Sequence, residues 1–172
     1  MNRIVILGTG HATVTRCYNT CFVLQTDTTA LLVDAGGGNG ILQRLKQAGI
    51  AIKDLHHMYV THAHTDHILG TIWVIRMVLS AASYEGQFHV YSHAKVLRVI
   101  SMICGETLSA KHRRLMGERV VMHEVGDGTG FNVGDIGMQS FDIHSKKEPQ
   151  YGFRATLPGG AVVVCLGDEP YN

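Results

Sequence analysis

The chain has 172 residues, of which 45% are hydrophobic and 17% are charged, an ordinary balance for a soluble globular domain. Its 15 basic and 14 acidic residues give a formal net charge of +1, so no overall field favours nucleic acid or an anionic membrane as a partner. The longest apolar stretch, from Ile68 to Ala82, contains Arg76 and is too short to span a bilayer.

The first part of the chain predicts short strands separated by helices. Strands are predicted over residues 3–7, 21–26 and 30–34, and a glycine run at 36–38 ends the third. Apolar residues on one face predict a helix over 41–48, which Gly49 terminates. A strand over 56–60, an apolar helix over 68–80, a strand over 88–91 and a helix over 94–103 follow.

Beyond residue 118 the pattern becomes mostly β. Strands are predicted over 119–125, 138–143, 153–156 and 161–166, separated by turns that contain glycine or proline. Mixed strands with interspersed helices predict sheets that pack together, with helices covering the outside.

The most informative segment is THAHTDHILG at 61–70, which contains His62, His64, Asp66 and His67. Three imidazoles and a carboxylate are costly to bury without a partner. Zinc binds imidazole nitrogen and carboxylate oxygen, and iron and manganese also accept these ligands. The cluster therefore predicts a divalent metal site, and the alternative is a histidine-rich surface turn without metal.

The spacing within the cluster indicates two neighbouring metal positions. The cluster lies between a predicted strand and a predicted helix, and His62 and His64 project to the same side of an extended segment. Asp66 and His67 are adjacent and close to the helix start, so their side chains diverge. Two ions about 3.5–4 Å apart can clamp both oxygens of a displacement reaction.

Two residues further along the chain are candidate ligands. His144 follows the strand predicted over 138–143, and Asp168 follows the strand predicted over 161–166. Functional groups often lie on loops at strand ends, where a rigid sheet positions them. Taken alone, His144 and Asp168 can each be an ordinary loop or turn residue. Their assignment as ligands therefore depends on the cluster at 62–67.

The cysteines indicate a reducing compartment. Cys17, Cys21, Cys104 and Cys165 include no CxxC pair, and the N-terminus enters a predicted strand without a leader pattern. We therefore expect free thiols in a cytoplasmic protein.

The ordered set H-x-H-x-D-H at 62–67, then His144, then Asp168 resembles the metallo-β-lactamase superfamily. LGTG at 7–10 and LLVDAG at 31–36 are similar to its first strands. HSKKEPQYGFR at 144–154 resembles the histidine motif of the ribonuclease Z-like branch. The resemblance covers essentially the whole chain.

The resemblance implies an α+β fold, a four-layer αββα sandwich. It also implies a hydrolase with two divalent ions, most simply zinc, with manganese or iron as the alternative. It implies that the first ion is held by His62, His64 and His144. It also implies that Asp66 and His67 hold the second ion and that Asp168 bridges both. In related phosphodiesterases a metal-bridging hydroxide attacks phosphorus, and the resemblance makes Asp66 the catalytic residue that handles its proton.

Departures from the family pattern shape the remaining expectations. The family supplies a later histidine for the second ion, whereas this sequence ends at Asn172. We therefore expect a single metallo-β-lactamase-like domain over 1–172 that is truncated after the Asp168 motif. It would be a natural remnant or, as we favour, a fragment of a longer product. Too few residues separate His144 from Asp168 for the long arm of some tRNA-processing members, and Thr65 replaces their usual glycine, so tRNA processing is disfavoured.

Several functions stay open at this point. We expect a small-molecule or nucleotide ester as substrate, RNA remaining an alternative, with no membrane partner and a homodimer by analogy. The same scaffold could instead hydrolyse a thioester, a lactone or an aryl sulfate, or the chain could be a metal-binding remnant without turnover. Lys146 and Lys147 would meet an anionic substrate if His144 binds metal, and His93 is a candidate residue on the substrate side.

Overall fold

Residues 1–169 form two β-sheets and four α-helices. The computed structural model describes residues 1–169, so the last three residues of the predicted domain lie outside the described part. The first sheet has six strands in chain order: β1 (Arg3–Gly8), β2 (Cys21–Gln25), β3 (Ala30–Val33), β4 (His57–Tyr59), β5 (Phe88–Ser92) and β6 (Val120–Glu124). The strands from β1 to β3 are antiparallel and those from β3 to β6 are parallel, so the parallel strands end at one edge.

The second sheet is antiparallel throughout. It contains β7 (Gly130–Val133), β8 (Ile136–Asp142), β9 (Tyr151–Thr156) and β10 (Val162–Cys165), in the spatial order β10-β9-β8-β7. The sequence pattern does not predict β7, because GFNV has only two large apolar residues. Its register with β8, Phe131 opposite Met138 and Val133 opposite Ile136, comes from pairing along the hairpin.

The helices all pack on one side of the six-stranded sheet. They are α1 (Gly40–Gln47), α2 (Thr65–Ser80), α3 (Ala94–Thr107) and α4 (Ala110–Leu115), with a 3-10 turn at Ile52–Asp54. Each helix contributes apolar side chains to the core between helices and sheet. A second core lies between the two sheets, where the rings of Tyr59 and Phe153 meet edge-on at 5.0 Å. Residues 1–169 thus form helix, sheet and sheet layers of the predicted sandwich.

Within residues 1–169, no helix combines the length and the apolar composition that crossing a bilayer requires. Even α2, the apolar helix that follows the histidine cluster, has 16 residues.

Candidate metal centre

The candidate metal centre lies at the edge where the parallel strands end. Asp34 follows β3 directly, and residues 60–64 link β4 to α2. The N–H of Asp34 donates to the carbonyl of Tyr59 at 2.9 Å, and the N–H of Val60 donates to the carbonyl of Tyr91 at 3.0 Å. The ladder of the sheet therefore continues into the site, and rigid strand ends position the histidine cluster.

Helix α2 begins at Thr65, earlier than the predicted start at residue 68. His64 is the N-cap residue, with φ −64° and ψ 146°, and its carbonyl accepts the N–H of His67 at 3.0 Å. Asp66 and His67 therefore lie in the first helical turn rather than in a preceding bend. The carboxylate of Asp66 is favourably placed at the positive end of the helix dipole.

A close backbone approach fixes α2 against the loop after β3. The N–H of Gly70 donates to the carbonyl of Gly36 at 2.8 Å. A Cβ atom at position 70 would lie 1.9 Å from the carbonyl oxygen of Ala35, so no larger residue fits here without a shift. The N–H of Ala35 in turn donates to the carbonyl of His67 at 3.0 Å.

Two groups of donor atoms share one carboxylate. His62, His64 and Asp168 form the first group, and Asp66, His67 and Asp168 form the second, with the ligand atoms of each group within 4.8 Å of one another. Asp168 Oδ2 lies 3.8 Å from His62 Nε2 and 3.1 Å from His67 Nε2. His62 Nε2 and His64 Nδ1 are 2.9 Å apart, and Asp66 Oδ2 lies 3.7 Å from His67 Nε2. Nitrogen and carboxylate oxygen donors in this arrangement fit divalent transition ions.

His144 does not join either group among the described residues. It lies in the loop after β8, with its side chain 55% exposed and its Nδ1 3.9 Å from Asp142 Oδ2. Its backbone adopts φ +57°, and its N–H donates to Asp142 Oδ1 at 2.8 Å. The assignment of His144 to the first ion therefore stays a prediction, whereas the other predicted ligands lie together.

Asp34 is a buried carboxylate that the sequence motif does not single out. It is 4% exposed, and its Oδ2 accepts hydrogen bonds from His67 Nδ1 and from the Thr61 hydroxyl, both at 2.8 Å. Because that hydroxyl donates to Asp34, its oxygen accepts the proton of His62 Nδ1 at 2.8 Å. Asp34 thus keeps the Nδ1 atoms of His62 and His67 protonated. The Nε2 atom of each imidazole therefore faces the position of a cation.

A signal for Asp34 was present in the sequence. The strand ALLV ends in an acidic residue immediately before the glycine run at 36–38, and a carboxylate after a buried strand at a sheet edge is a candidate functional group. Its partners lie about thirty positions further along the chain, so only the fold reveals what it contacts.

The charges in this network shift the pKa values of its histidines in opposite directions. Burial lowers the pKa of His67, but hydrogen bonds to Asp168 and Asp34, together with their negative charges, outweigh it and raise that pKa to about 10. Burial, together with the charged His67 nearby, lowers the pKa of His62 to about 4. The hydrogen bond from His67 lowers the pKa of Asp168. In the metal-free network a proton therefore sits on His67 Nε2, where a cation would replace it.

A cavity of about 520 Å³ opens in front of the donor groups. Its walls come from the loop after β1, from the cluster and from the segments before β9 and after β10: His11, Ala12, His64, Asp66, Lys147, Gln150, Asp168 and Glu169. The N–H of Ala12 donates to Asp66 Oδ2 at 2.7 Å. Lys147 is a predicted contact for an anionic substrate. Its Nζ lies 3.3 Å from Oε1 of Glu169, so the carboxylate neutralises part of the charge of the lysine.

The two sheets meet at the metal centre. Asp168 belongs to the turn after β10, and its N–H donates at 3.3 Å to Oε1 of Gln150, a fully buried residue just before β9. The N–H of Tyr151 donates to the carbonyl of Thr61 at 3.0 Å. The ring of His93, the predicted residue on the substrate side, lies 5.0 Å from that of Tyr151. His93 is not among the described residues that line the cavity.

Comparison with known proteins agrees with this architecture. The sequence profile of the family described as anti-Pycsar protein Apyc1 matches residues 2–161. A ribonuclease Z of Aeropyrum pernix is 30% identical over 141 residues, which are 81% of this chain and 42% of that relative. The chain therefore spans well under two thirds of that curated relative.

Solved structures of similar shape share little sequence with the chain. The short form of human tRNase Z superposes with a TM-score of 0.76 at 18% identity, over 98% of this chain and 69% of that protein. The metallo-β-lactamase fold protein YhfI from Bacillus subtilis superposes with a TM-score of 0.72 at 17% identity, over 96% of this chain and 63% of that protein. The predicted α+β fold of the metallo-β-lactamase type is confirmed.

Proposed function

The chain belongs to the family of the anti-Pycsar protein Apyc1, in the ribonuclease Z-like branch of the metallo-β-lactamase superfamily, and on this premise we propose that it is a metal-dependent phosphodiesterase. The observation that carries the proposal is the shared oxygen of Asp168, which lies 3.8 Å from His62 Nε2 and 3.1 Å from His67 Nε2. A carboxylate that belongs to two sets of donors could hold two neighbouring ions, because it has two oxygens.

Each donor group has three protein ligands, which leaves room for substrate or water. His62, His64 and Asp168 would hold the first ion, and Asp66, His67 and Asp168 would hold the second. Two divalent ions bound there would lower the pKa of water to about 7 and neutralise charge on the scissile group.

Asp66 is our candidate for the proton transfer step. Its Oδ2 is held by the N–H of Ala12 at 2.7 Å, and the residue lines the cavity. A carboxylate fixed in this way can accept a proton from the attacking water and donate it to the leaving oxygen. Asp34 and Thr61 would meanwhile keep the imidazoles of His67 and His62 in the orientation that binds metal.

The proposed substrate is a small-molecule or nucleotide phosphodiester. The relative from Aeropyrum pernix and the human structural neighbour are named as ribonucleases, and ribonucleases cleave phosphodiester bonds. The family description names Pycsar as what its member acts against, so the ester hydrolysed by this chain would belong to the Pycsar system. Partial neutralisation of Lys147 by Glu169 favours a substrate of low charge over a polyanion.

The test measures metal content and substrate class together. The full chain is stripped of metal, reloaded with zinc or manganese, and assayed on bis-p-nitrophenyl phosphate, a thioester, a lactone and an aryl sulfate. We expect two ions per chain and turnover of the phosphodiester. Turnover confined to the other esters would overturn the phosphodiesterase proposal, and one ion or none would indicate a metal-binding remnant.

A ligand variant and a matched control assign the activity to this site. His64→Ala should lose metal and turnover together, because it removes a donor from the first group. His112→Ala removes an imidazole on α4 that contacts Ser80 at 3.3 Å, and it should leave both unchanged. Wild-type metal content in His64→Ala would refute the assignment of His64.

A further inference from the structure

Three histidines outside the metal centre lie on neighbouring strands of the six-stranded sheet. His57 is in β4, His89 is in β5 and His123 is in β6; His57 pairs with His89 and Tyr91 pairs with His123 in the register of the sheet. Because side chains alternate along a strand, all three lie on the same face as Tyr91, the face that packs toward the second sheet.

Two nitrogen atoms of this histidine cluster face each other. His89 Nδ1 and His123 Nε2 are 2.9 Å apart. The ring of Tyr91 stacks on His123 at 4.7 Å, and the ring of His57 stacks on His89 at 5.4 Å. Within the described residues, Nδ1 of His57 is buried and has no hydrogen-bond partner. Aromatic neighbours thus hold the pair in place.

The distance between the two nitrogens suits adjacent ligands of one metal ion. Nitrogen ligands about 2.0–2.1 Å from a metal and separated by this distance subtend about 90° at it, an angle found in the tetragonal geometry of Cu²⁺ and Ni²⁺ sites. Burial lowers the pKa of His57, of His89 and of His123. At neutral pH these imidazoles are therefore uncharged, as metal ligands must be.

We propose that His89 and His123 form a second metal-binding site, which takes one divalent transition ion that prefers imidazole, Ni²⁺ or Cu²⁺. The ring of His57 stacks on that of His89 but forms no group of three ligand atoms with the pair among the described residues, so water completes the coordination. The site is separate from the metal centre, because the chain runs from His57 to His62 over about 16 Å of extended backbone. An ion bound there would cross-link β5 to β6, the last strand in the order of the six-stranded sheet.

A hydrogen bond between two neutral imidazoles would give the same distance, so the test must distinguish a metal pair from a hydrogen-bonded pair. The full chain, with its metal centre loaded with zinc, is titrated with Ni²⁺ by calorimetry. In parallel, the histidine side-chain signals are followed by NMR, since bound Ni²⁺ broadens nearby signals. We expect one Ni²⁺ per chain and broadening confined to His57, His89 and His123.

His123→Gln separates the two explanations, because the amide keeps the size and hydrogen-bonding capacity of the side chain but is a poor Ni²⁺ ligand. We expect the affinity for Ni²⁺ to fall at least tenfold in this variant and in His89→Gln, and to stay unchanged in the control His112→Gln. Equal affinity in wild type and His123→Gln would overturn the proposal. So would an absence of Ni²⁺ binding, or broadening confined to His62, His64 and His67. None of these outcomes depends on turnover of a phosphodiester.

Discussion

The orientation of two metal-binding imidazoles depends on one side chain that binds no metal itself. Asp34 accepts from His67 directly and from His62 through the hydroxyl of Thr61. Its backbone has φ +53°, a conformation that aspartate and asparagine tolerate better than most residues. Asparagine is therefore the substitution that tests the carboxylate without adding backbone strain.

Asp34→Asn should weaken metal binding by about 10- to 100-fold, the usual effect of removing a partner that orients metal-bound histidines. If the amide oxygen accepts from His67 and from the Thr61 hydroxyl, the amide NH2 faces the N–H of Thr61, which donates to the second carboxylate oxygen of Asp34 at 2.8 Å. Competition with a chromophoric zinc chelator measures the affinity. Asp135→Asn is the matched control, since Asp135 accepts from the Thr26 hydroxyl at 2.8 Å near the other end of β3. Equal losses in both variants would contradict the role of Asp34.

The pKa of His67 predicts how the metal-free protein responds to pH. That pKa is raised from 6.5 to about 10 in the folded state. Its proton therefore stabilises the fold fully below pH 6.5, and this stabilisation is lost as pH rises through the folded pKa. We expect the free energy of unfolding of the metal-free protein, measured in urea, to fall between about pH 6.5 and 10. This fall in the free energy of unfolding should be absent in His67→Gln and in the metal-loaded protein, where the ion has displaced the proton. If either of them shows the same fall, groups other than His67 cause it.

At the scale of single elements, the start of α2 shows where local patterns mislead. Thr65, Asp66 and His67 are weak helix formers, so the sequence favours a bend before residue 68. The helix nevertheless begins at Thr65, because the carbonyl of His67 accepts the N–H of Ala35 and the chain packs against the loop after β3. Contacts with a distant segment therefore decide the boundary.

What could be predicted depended on how far apart the interacting residues lie in the chain. The ligands at 62–67 could be predicted because one short segment contains them. The packing of sheets against each other could be predicted from the apolar pattern of the strands. Asp34 was missed because Thr61 and His67, which explain it, lie in another element. The strand β7 was missed because its two large apolar residues form too weak an alternation, and pairing with β8 defines it.

Gly70→Ala tests the close approach of α2 to β3. The added Cβ would lie 1.9 Å from the carbonyl oxygen of Ala35, and because backbone cannot yield as a side chain does, we expect a loss of about 1–3 kcal/mol or more in the free energy of unfolding. Gly105→Ala in α3 is the matched control, since nothing lies within 4 Å of its Cβ position. Alanine there should raise stability by up to about 1 kcal/mol. Urea denaturation of both variants measures the difference, and similar effects would argue against the packing explanation.

At the scale of the whole molecule, the metal centre joins the two sheets. The histidines and Asp66 follow β4 of the first sheet, whereas Asp168 follows β10 of the second. Bound ions would therefore act as a cross-link that adds to the apolar core between the sheets.

Removing the metal should loosen the second sheet near Asp168 more than the first. We expect a chelator to speed hydrogen exchange of amides in β9 and β10, while amides in β2 and β3 change little, because Asp168 then keeps only its hydrogen bonds to His67 and Gln150 and loses its bonds to metal. Mass spectrometry of exchanged peptides measures both regions in one sample. A uniform change across both sheets would indicate general destabilisation instead of a lost cross-link.

The placement of Asp168 also affects how loss-of-function variants should be interpreted. Phe153 belongs to neither donor group, yet it pairs with Cys165 in β10 and packs against Tyr59, so shortening it would disturb the core that positions β10 and the Asp168 turn after it. A genetic screen scored on turnover should therefore recover clones at buried apolar positions as well as at the histidines. In this protein, inactive clones in the core do not by themselves mark a second functional surface.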